Sequence, residues 1–380
     1  MRAGLWIPIA PDERVQILTI IGCVGGAVVR LRGLGFVMLA VAGAVLAAPA
    51  PGRSESTPPV VLPLIKQEFP GKPKNIRMVY LRLIGVGDRV VDQPLLLDTG
   101  SSGMTVDCNV VLPEEMCSTD GIKIDKETVI DGITVTTQQL VAHYGTYDEY
   151  GNLARAVVRM GAPDAAAVTE QPIAFLIRTK KVRRSDGQIV GGRLWPKGLI
   201  GISPLGAIDE GASVISPLAA VAVPKGLHRG YVIGALGDTW KACTIEDGNC
   251  PEVPGLSLGV DPEDNEGWKF TPMSRADARY NFPTVTACLA FGKVTACKPT
   301  LFDTGNSTIM VAGSGGKPLK KGVPVKLLTL GRWEFETRYS PEVEFVEGLE
   351  HHIVGIRFFQ DNRLAVDLKA GRIGLWIGAK

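Results

Sequence analysis

The string apolar–Asp–Thr–Gly–x–Ser occurs twice in this chain, and nothing else in it restricts the fold as tightly. Asp98-Thr99-Gly100-Ser101-Ser102 follows the apolar run Pro94–Leu97, and Asp303-Thr304-Gly305-Asn306-Ser307 follows Thr300–Phe302, 205 residues later. Each copy is followed downstream by an apolar–apolar–Gly triplet, Leu199-Ile200-Gly201 and Ile353-Val354-Gly355. An Asp that closes an apolar strand and is followed by Thr-Gly sits on a tight turn, where Gly lets other backbone approach closely. Two such turns in matched contexts describe an internal repeat of two comparable halves.

Composition supports a strand-and-turn architecture. The 380 residues contain 45 Gly and 26 Pro, a punctuation too dense for long helical bundles or coiled coils. Short apolar runs rich in Val, Ile and Leu recur between turn residues, among them Met78–Val86, Thr128–Thr137, Pro172–Ile177, Thr284–Leu289 and Leu364–Leu368. The length accommodates two domains, and the expectation is an all-β chain. Helical periodicity is confined to short stretches such as Pro217–Val223.

The charges balance. Residues 1–50 hold four Arg against two acids, and the remaining 330 residues hold 37 bases against 37 acids. A neutral body has no electrostatic footprint for nucleic acid. The one basic cluster, Arg178-Thr179-Lys180-Lys181-Val182-Arg183-Arg184, is expected as a solvated loop after the strand that ends at Ile177.

Residues 1–50 carry a targeting pattern. Arg30 and Arg32 precede the apolar run Gly33–Leu46, with small residues at the cleavage position (Ala47-Ala48-Pro49-Ala50). A second apolar run, Val15–Val29, precedes it. Export, to a periplasm or to the medium, is expected, and a membrane tether through the N-terminal segment is the alternative. Residues 51–74 are expected as a linker or short pro-segment, in which Lys66, Lys72 and Lys74 supply basic charge.

Cysteine usage agrees with export. Without Cys23 in the leader, six cysteines remain in three close pairs: Cys108 and Cys117, Cys243 and Cys250, Cys288 and Cys297. Fifteen connectivities are available, and nearest-neighbour pairing is the simplest. Such usage points to an oxidising compartment. The chain has no C-x-x-C, and its four His match no ligand spacing, so neither a metal nor a cofactor is expected. His351 and His352 are expected at an exposed strand edge. No G-x-S-x-G nucleophile elbow is present.

If the two halves bring their Asp turns together, the carboxylates face each other, cannot both ionise cheaply, and share a proton. One can then take a proton from a bound water while the other protonates a substrate carbonyl, which is general acid–base hydrolysis of an amide.

On these residues the chain resembles the pepsin-like aspartic endopeptidases over nearly all of residues 75–380. Ala142-His143-Tyr144-Gly145-Thr146 resembles the family's flap, Leu256–Pro262 with Phe270–Met273 the opening of the second lobe, and Phe358–Leu375 the terminal strands. The resemblance implies a bilobal fold of two pseudo-symmetric β lobes with a cleft between them, at 75–228 and 229–380. It implies Asp98 and Asp303 as the catalytic dyad and Thr99 and Thr304 as hydrogen bonds across the lobe junction. Gly100, Ser101, Gly305 and Asn306 would support the dyad. Tyr144, Gly145 and Thr146 would form a mobile hairpin over an extended polypeptide substrate, cleaved between hydrophobic residues by a monomer. Three departures stand out. Thr105 occupies the place of a Trp that partners the flap Tyr; Tyr147 replaces a Gly and is followed by Asp148 and Glu149; Asn306 replaces a Ser or Thr. The altered flap and Thr105, with only 77 residues after Asp303 for the second lobe, also admit a second reading, a catalytically silent pepsin-fold binding or inhibitory protein.

Overall fold

A computed structural model describes residues 58–69, 76–191, 196–203, 206–207, 213–245, 248–263, 266–275, 283–313, 316–328, 333–338, 340 and 342–376. The leader and residues 51–57 and 70–74 of the linker, Lys72 and Lys74 among them, lie outside them. The described chain is mostly strand, arranged mainly as one 16-stranded and one 8-stranded sheet. The fold is pepsin-like, bilobal and all-β. Among the described residues, helix is limited to single turns such as Cys108–Val111 and Phe358–Asp361, and Pro217–Ala220 is a 3-10 turn.

The two Asp-Thr-Gly segments stand in matching surroundings. The strand Arg89–Ser102 carries the first. It runs parallel to Gly198–Ser203, with Gly201 opposite Asp98, and that strand is antiparallel to Met104–Asp107. In the second half, Val294–Phe302 leads into Asp303 and runs parallel to His352–Val354, which is antiparallel to Ile309–Ala312. The downstream triplets are therefore the strands that flank the Asp turns. Their glycines allow that packing: a Cβ on Gly201 would lie 2.5 Å from the Ser102 nitrogen, and one on Gly355 would strike the Asn306 carbonyl. Behind the second turn, the Phe302 and Phe358 rings meet at 4.5 Å, and Trp333 stands edge-on to Phe358 at 5.2 Å.

The segment expected as linker or pro-segment is structural. Val60–Phe69 is a strand paired antiparallel to both Glu252–Val260 and Ile76–Val86, with Leu62 and Leu64 fully buried. Alternation places Leu62, Leu64 and Lys66 on one face. Lys66 is buried too, and its Nζ donates to the Leu236 carbonyl at 2.6 Å. Burial and the nearby Arg77 lower its pKa. Lys66 is thus a buried sheet residue.

Two further expectations change. The basic cluster is not a solvated loop: the strand Ile173–Arg183 continues through it, and Arg178 and Lys181 are buried. His352 is buried rather than at an exposed edge, its Nδ1 accepting from the Ala312 N–H at 3.0 Å; burial lowers its pKa. The disulfides are Cys108–Cys117, Cys243–Cys250 and Cys288–Cys297, nearest neighbours in each case.

Candidate active site

Both Asp turns are locked by one reciprocal set of hydrogen bonds. The Thr99 N–H donates to Thr304 Oγ1 at 3.1 Å, and the Thr304 N–H donates to Thr99 Oγ1 at 2.9 Å. Each hydroxyl in turn donates to the strand end of the opposite half, Thr99 Oγ1 to the Phe302 carbonyl at 2.6 Å and Thr304 Oγ1 to the Leu97 carbonyl at 2.7 Å. Both threonines are buried, so these bonds fix the distance between the carboxylates that flank them.

The glycines make room for the opposed carboxylates. A Cβ on Gly100 would lie 2.6 Å from Asp303 Cγ, and a Cβ on Gly305 would lie 2.5 Å from Asp98 Cγ. Each carboxylate also accepts from the glycine of its own turn, Gly100 N–H to Asp98 Oδ1 and Gly305 N–H to Asp303 Oδ1, both at 2.8 Å. Burial, then the facing Asp98 charge and a hydrogen bond to Asp98, raise the Asp303 pKa well above the ordinary carboxylate range. Two carboxylates this close cannot both ionise cheaply, so the pair shares a proton.

The fourth position of each turn breaks the symmetry. The Ser101 hydroxyl donates to Asp98 Oδ2. Asn306 turns away, its Oδ1 accepting from the Thr308 N–H and hydroxyl, both at 3.1 Å, while its carbonyl accepts from the Ile356 N–H at 2.8 Å. Asn306 therefore supports the dyad by holding its turn and not by touching the carboxylate.

The flap segment is a hairpin between Ile133–His143 and Tyr147–Ala156, closed by a Tyr144 N–H to Tyr147 carbonyl bond at 2.9 Å. Gly145 and Thr146 are its exposed tip. Tyr144 packs on the buried groups Leu140, Leu153 and Leu176, and also on Tyr80, Leu96 and Leu199. Burial, Glu149 and Asp98 raise the pKa of its phenol well above the usual value. The hairpin is not two-stranded. Ile173–Arg183 pairs with it along its whole length, ending with Lys181 opposite Glu149 and Arg183 opposite Tyr147.

The position expected to hold an aromatic partner for Tyr144 has a different construction. Buried Thr105 stands beside Tyr144 and Glu149. Glu149, 1% exposed, accepts from Arg178 Nη1 and pairs with Lys181 Nζ at 3.2 Å. Arg178 also donates to Asp107 Oδ1 at 2.6 Å and to the Pro196 carbonyl at 2.7 Å. Lys181 lies over the Tyr147 ring at 3.7 Å, and the rings of Tyr147 and Tyr144 are 5.8 Å apart. Burial would push the Glu149 pKa up, but Arg178 and Lys181 outweigh it and hold the group below its usual value. Burial and neighbouring Arg178 bring Lys181 down to about 8 despite Glu149. Burial also raises the Tyr147 phenol, which lies within electrostatic range of Asp98 and Asp303.

Sequence reasoning missed this cluster. A run of like charges reads as surface, and the partners of Arg178 are 29 and 71 residues away. The one available signal was the strand-like alternation that continues past Ile177.

No family model and no curated protein matches the chain. Among solved structures it is similar to the aspartic proteinase from Irpex lacteus, at 15% identity over 80% of this chain and 94% of that one, with a TM-score of 0.52. It is also similar to conglutin gamma, a basic 7S globulin from lupine seeds, at 13% identity over 84% of this chain and 96% of that one, with a TM-score of 0.51.

Proposed function

We propose that this pepsin-fold chain is an exported aspartic endopeptidase, and the observation that carries the reading is the Asp98–Asp303 pair locked by reciprocal Thr99 and Thr304 bonds. A water between the carboxylates loses a proton to Asp98, whose oxygens are oriented by Ser101 and the Gly100 N–H. The protonated Asp303 donates to the scissile carbonyl, and the two carboxyls exchange proton states as the amine leaves. No covalent intermediate forms. The substrate is an extended polypeptide in the cleft under Tyr144, which closes over it and excludes water. The three disulfides fit an oxidising compartment.

Two observations support the silent-scaffold reading: the flap hairpin is tied to a third strand, and a seed globulin is among the solved structures the chain is similar to. The deciding experiment is cleavage of an unfolded protein across about pH 3–7, with and without pepstatin, beside Asp98→Asn and Asp303→Asn. Pepstatin-sensitive cleavage lost in both variants supports the protease. A folded, disulfide-complete protein that cleaves nothing at any pH overturns it and leaves the binding scaffold.

A further inference from the structure

Four neighbouring strands of the sheet that carries Asp98 bury apolar side chains on both faces. Leu64, Val79, Leu97 and Ile200 belong to the main core. Ile65, Tyr80, Leu96 and Leu199 point the other way and form a separate group. Their register is continuous: Ile65 pairs with Tyr80, Tyr80 with Leu96, and Leu96 with Leu199. Paired residues share a face and side chains alternate along each strand, so the four make one row across the sheet. Asp98 stands two residues beyond Leu96 in the same strand and shares its face. The row is an apolar floor beside Asp98.

Each member of the row is at most 4% exposed, so the floor is covered. Among the described residues its covers are Met78, Tyr144, Ile245 and Cys250. Met78 belongs to the same strand as Tyr80, and Tyr144 to the flap. Ile245 and Cys250 come from a distant part of the chain, the loop closed by the Cys243–Cys250 bridge. The base of that loop is fastened to the first strand. The Lys66 N–H donates to the Pro251 carbonyl at 2.9 Å and the Glu68 N–H to the Lys241 carbonyl at 3.0 Å, while Gln67 Nε2 donates to the Cys243 carbonyl at 2.7 Å. A Gly248 N–H to Ile245 carbonyl bond at 3.0 Å turns the loop back on itself. Ile245 is the only apolar side chain between the two cysteines, and this short tied loop lays it on the floor.

We propose that Ile245 is a specificity-determining residue, which occupies the floor in place of an apolar side chain of the bound polypeptide and sets how large that side chain can be. This rests on the reading of the Asp98–Asp303 face as a substrate cleft. An extended chain passing Asp98 sends alternate side chains to one side, and the apolar row lies there to receive them. A large side chain that reaches the Ile65 end meets Ile245, whose branched Cβ leaves it little freedom to turn aside. Trimming Ile245 to Ala opens space over a buried apolar floor, where an aromatic ring gains burial. Enlarging it closes that space. The Cys243–Cys250 bridge thereby fixes one wall of the cleft.

The binding test uses full-length Asp98→Asn protein, so that no probe is cleaved, with and without a substitution at Ile245; thermal melting checks each fold. Calorimetric titration follows capped octapeptides of Ala and Ser in which a single Phe is walked from one position to the next. Ile245→Ala is expected to tighten binding about tenfold at one Phe position and to leave the peptide without Phe unchanged. Ile245→Phe should weaken that same Phe peptide by a similar factor, and Ile245→Val should behave as the parent. With both Asp residues intact, cut sites in an unfolded protein, read by mass spectrometry, should admit larger side chains at one flanking position in Ile245→Ala than in wild type. Equal affinities of parent and Ile245→Ala at every Phe position, a gain shared by all positions, or no binding of any Phe peptide overturns the proposal, as does an unchanged cut-site preference. A wild type that cleaves nothing while the position-specific gain persists removes the endopeptidase reading and leaves Ile245 as the wall of a peptide-binding cleft.

Discussion

Replacing Thr304 by Val tests whether the threonine lock or general packing holds the two Asp turns together. The side chain keeps its size and branching but loses its oxygen. Two bonds disappear, the one given to the Leu97 carbonyl at 2.7 Å and the one received from the Thr99 N–H at 3.1 Å. Thr304 is 0% exposed, so water cannot take over. Each stranded backbone group costs about 1–3 kcal/mol, which gives about 2–6 kcal/mol in all. That is a large share of the 5–15 kcal/mol typical of a folded domain. Thr304→Ser keeps the hydroxyl and should recover most of the loss. The measurement is urea unfolding followed by tryptophan fluorescence, with disulfides intact. Thr99→Val removes the other two bonds, so the double variant should show coupling of about 0.5–3 kcal/mol. A Val variant that loses less than about 1 kcal/mol, or a Ser variant as damaged as the Val, would refute the reasoning.

Three further outcomes are expected. The raised Asp303 pKa stabilises the fold below the ordinary value of 3.8 and loses that contribution as pH rises through the folded-state pKa. Asp303→Asn should therefore melt progressively higher than wild type between about pH 4 and 7, and a constant difference would contradict the shift. Glu149→Ala leaves Arg178 and Lys181 buried with fewer partners and should cost about 3–5 kcal/mol, while Glu149→Gln/Lys181→Met recovers part of it; thermal melts at neutral pH decide. Cys288→Ala/Cys297→Ala opens a bridge spanning nine residues in sequence and should cost about 2–3 kcal/mol in urea unfolding.

What could be read in the sequence was local. The Asp-Thr-Gly turns, their flanking triplets, the hairpin and the three short disulfide loops each depend on residues close together, or on a pattern repeated intact. The errors share one physical origin. Lys66 reads only as basic charge in a linker or pro-segment, and Arg178 and Lys181 as part of a solvated loop, because charge ordinarily stays in water. Each is buried because a distant group receives it: the Leu236 carbonyl 170 residues from Lys66, Asp107 71 residues from Arg178, and Glu149 across the flap ladder from Lys181. His352 was misplaced for the same reason, its partner being the Ala312 N–H 40 residues away. Thr105 was visible as a departure. That an ion cluster occupies the place of the missing aromatic was not, since nothing local ties Thr105 to Arg178.

The asymmetry between the two carboxylates also follows from one position of the repeat. The backbone treats the two halves alike: each Thr bonds across, each Gly N–H caps its own carboxylate, and each Gly makes space for the opposite one. A symmetric cradle gives the shared proton no preferred side. The fourth position supplies the difference, because Ser101 donates to Asp98 whereas Asn306 spends its side-chain oxygen on Thr308. A hydroxyl donor favours the charged form of the carboxylate it reaches, and Ser101 supplies one to Asp98. The repeat thus brings two acids together, and the side chains at the fourth positions, Ser101 and Asn306, make their surroundings unequal.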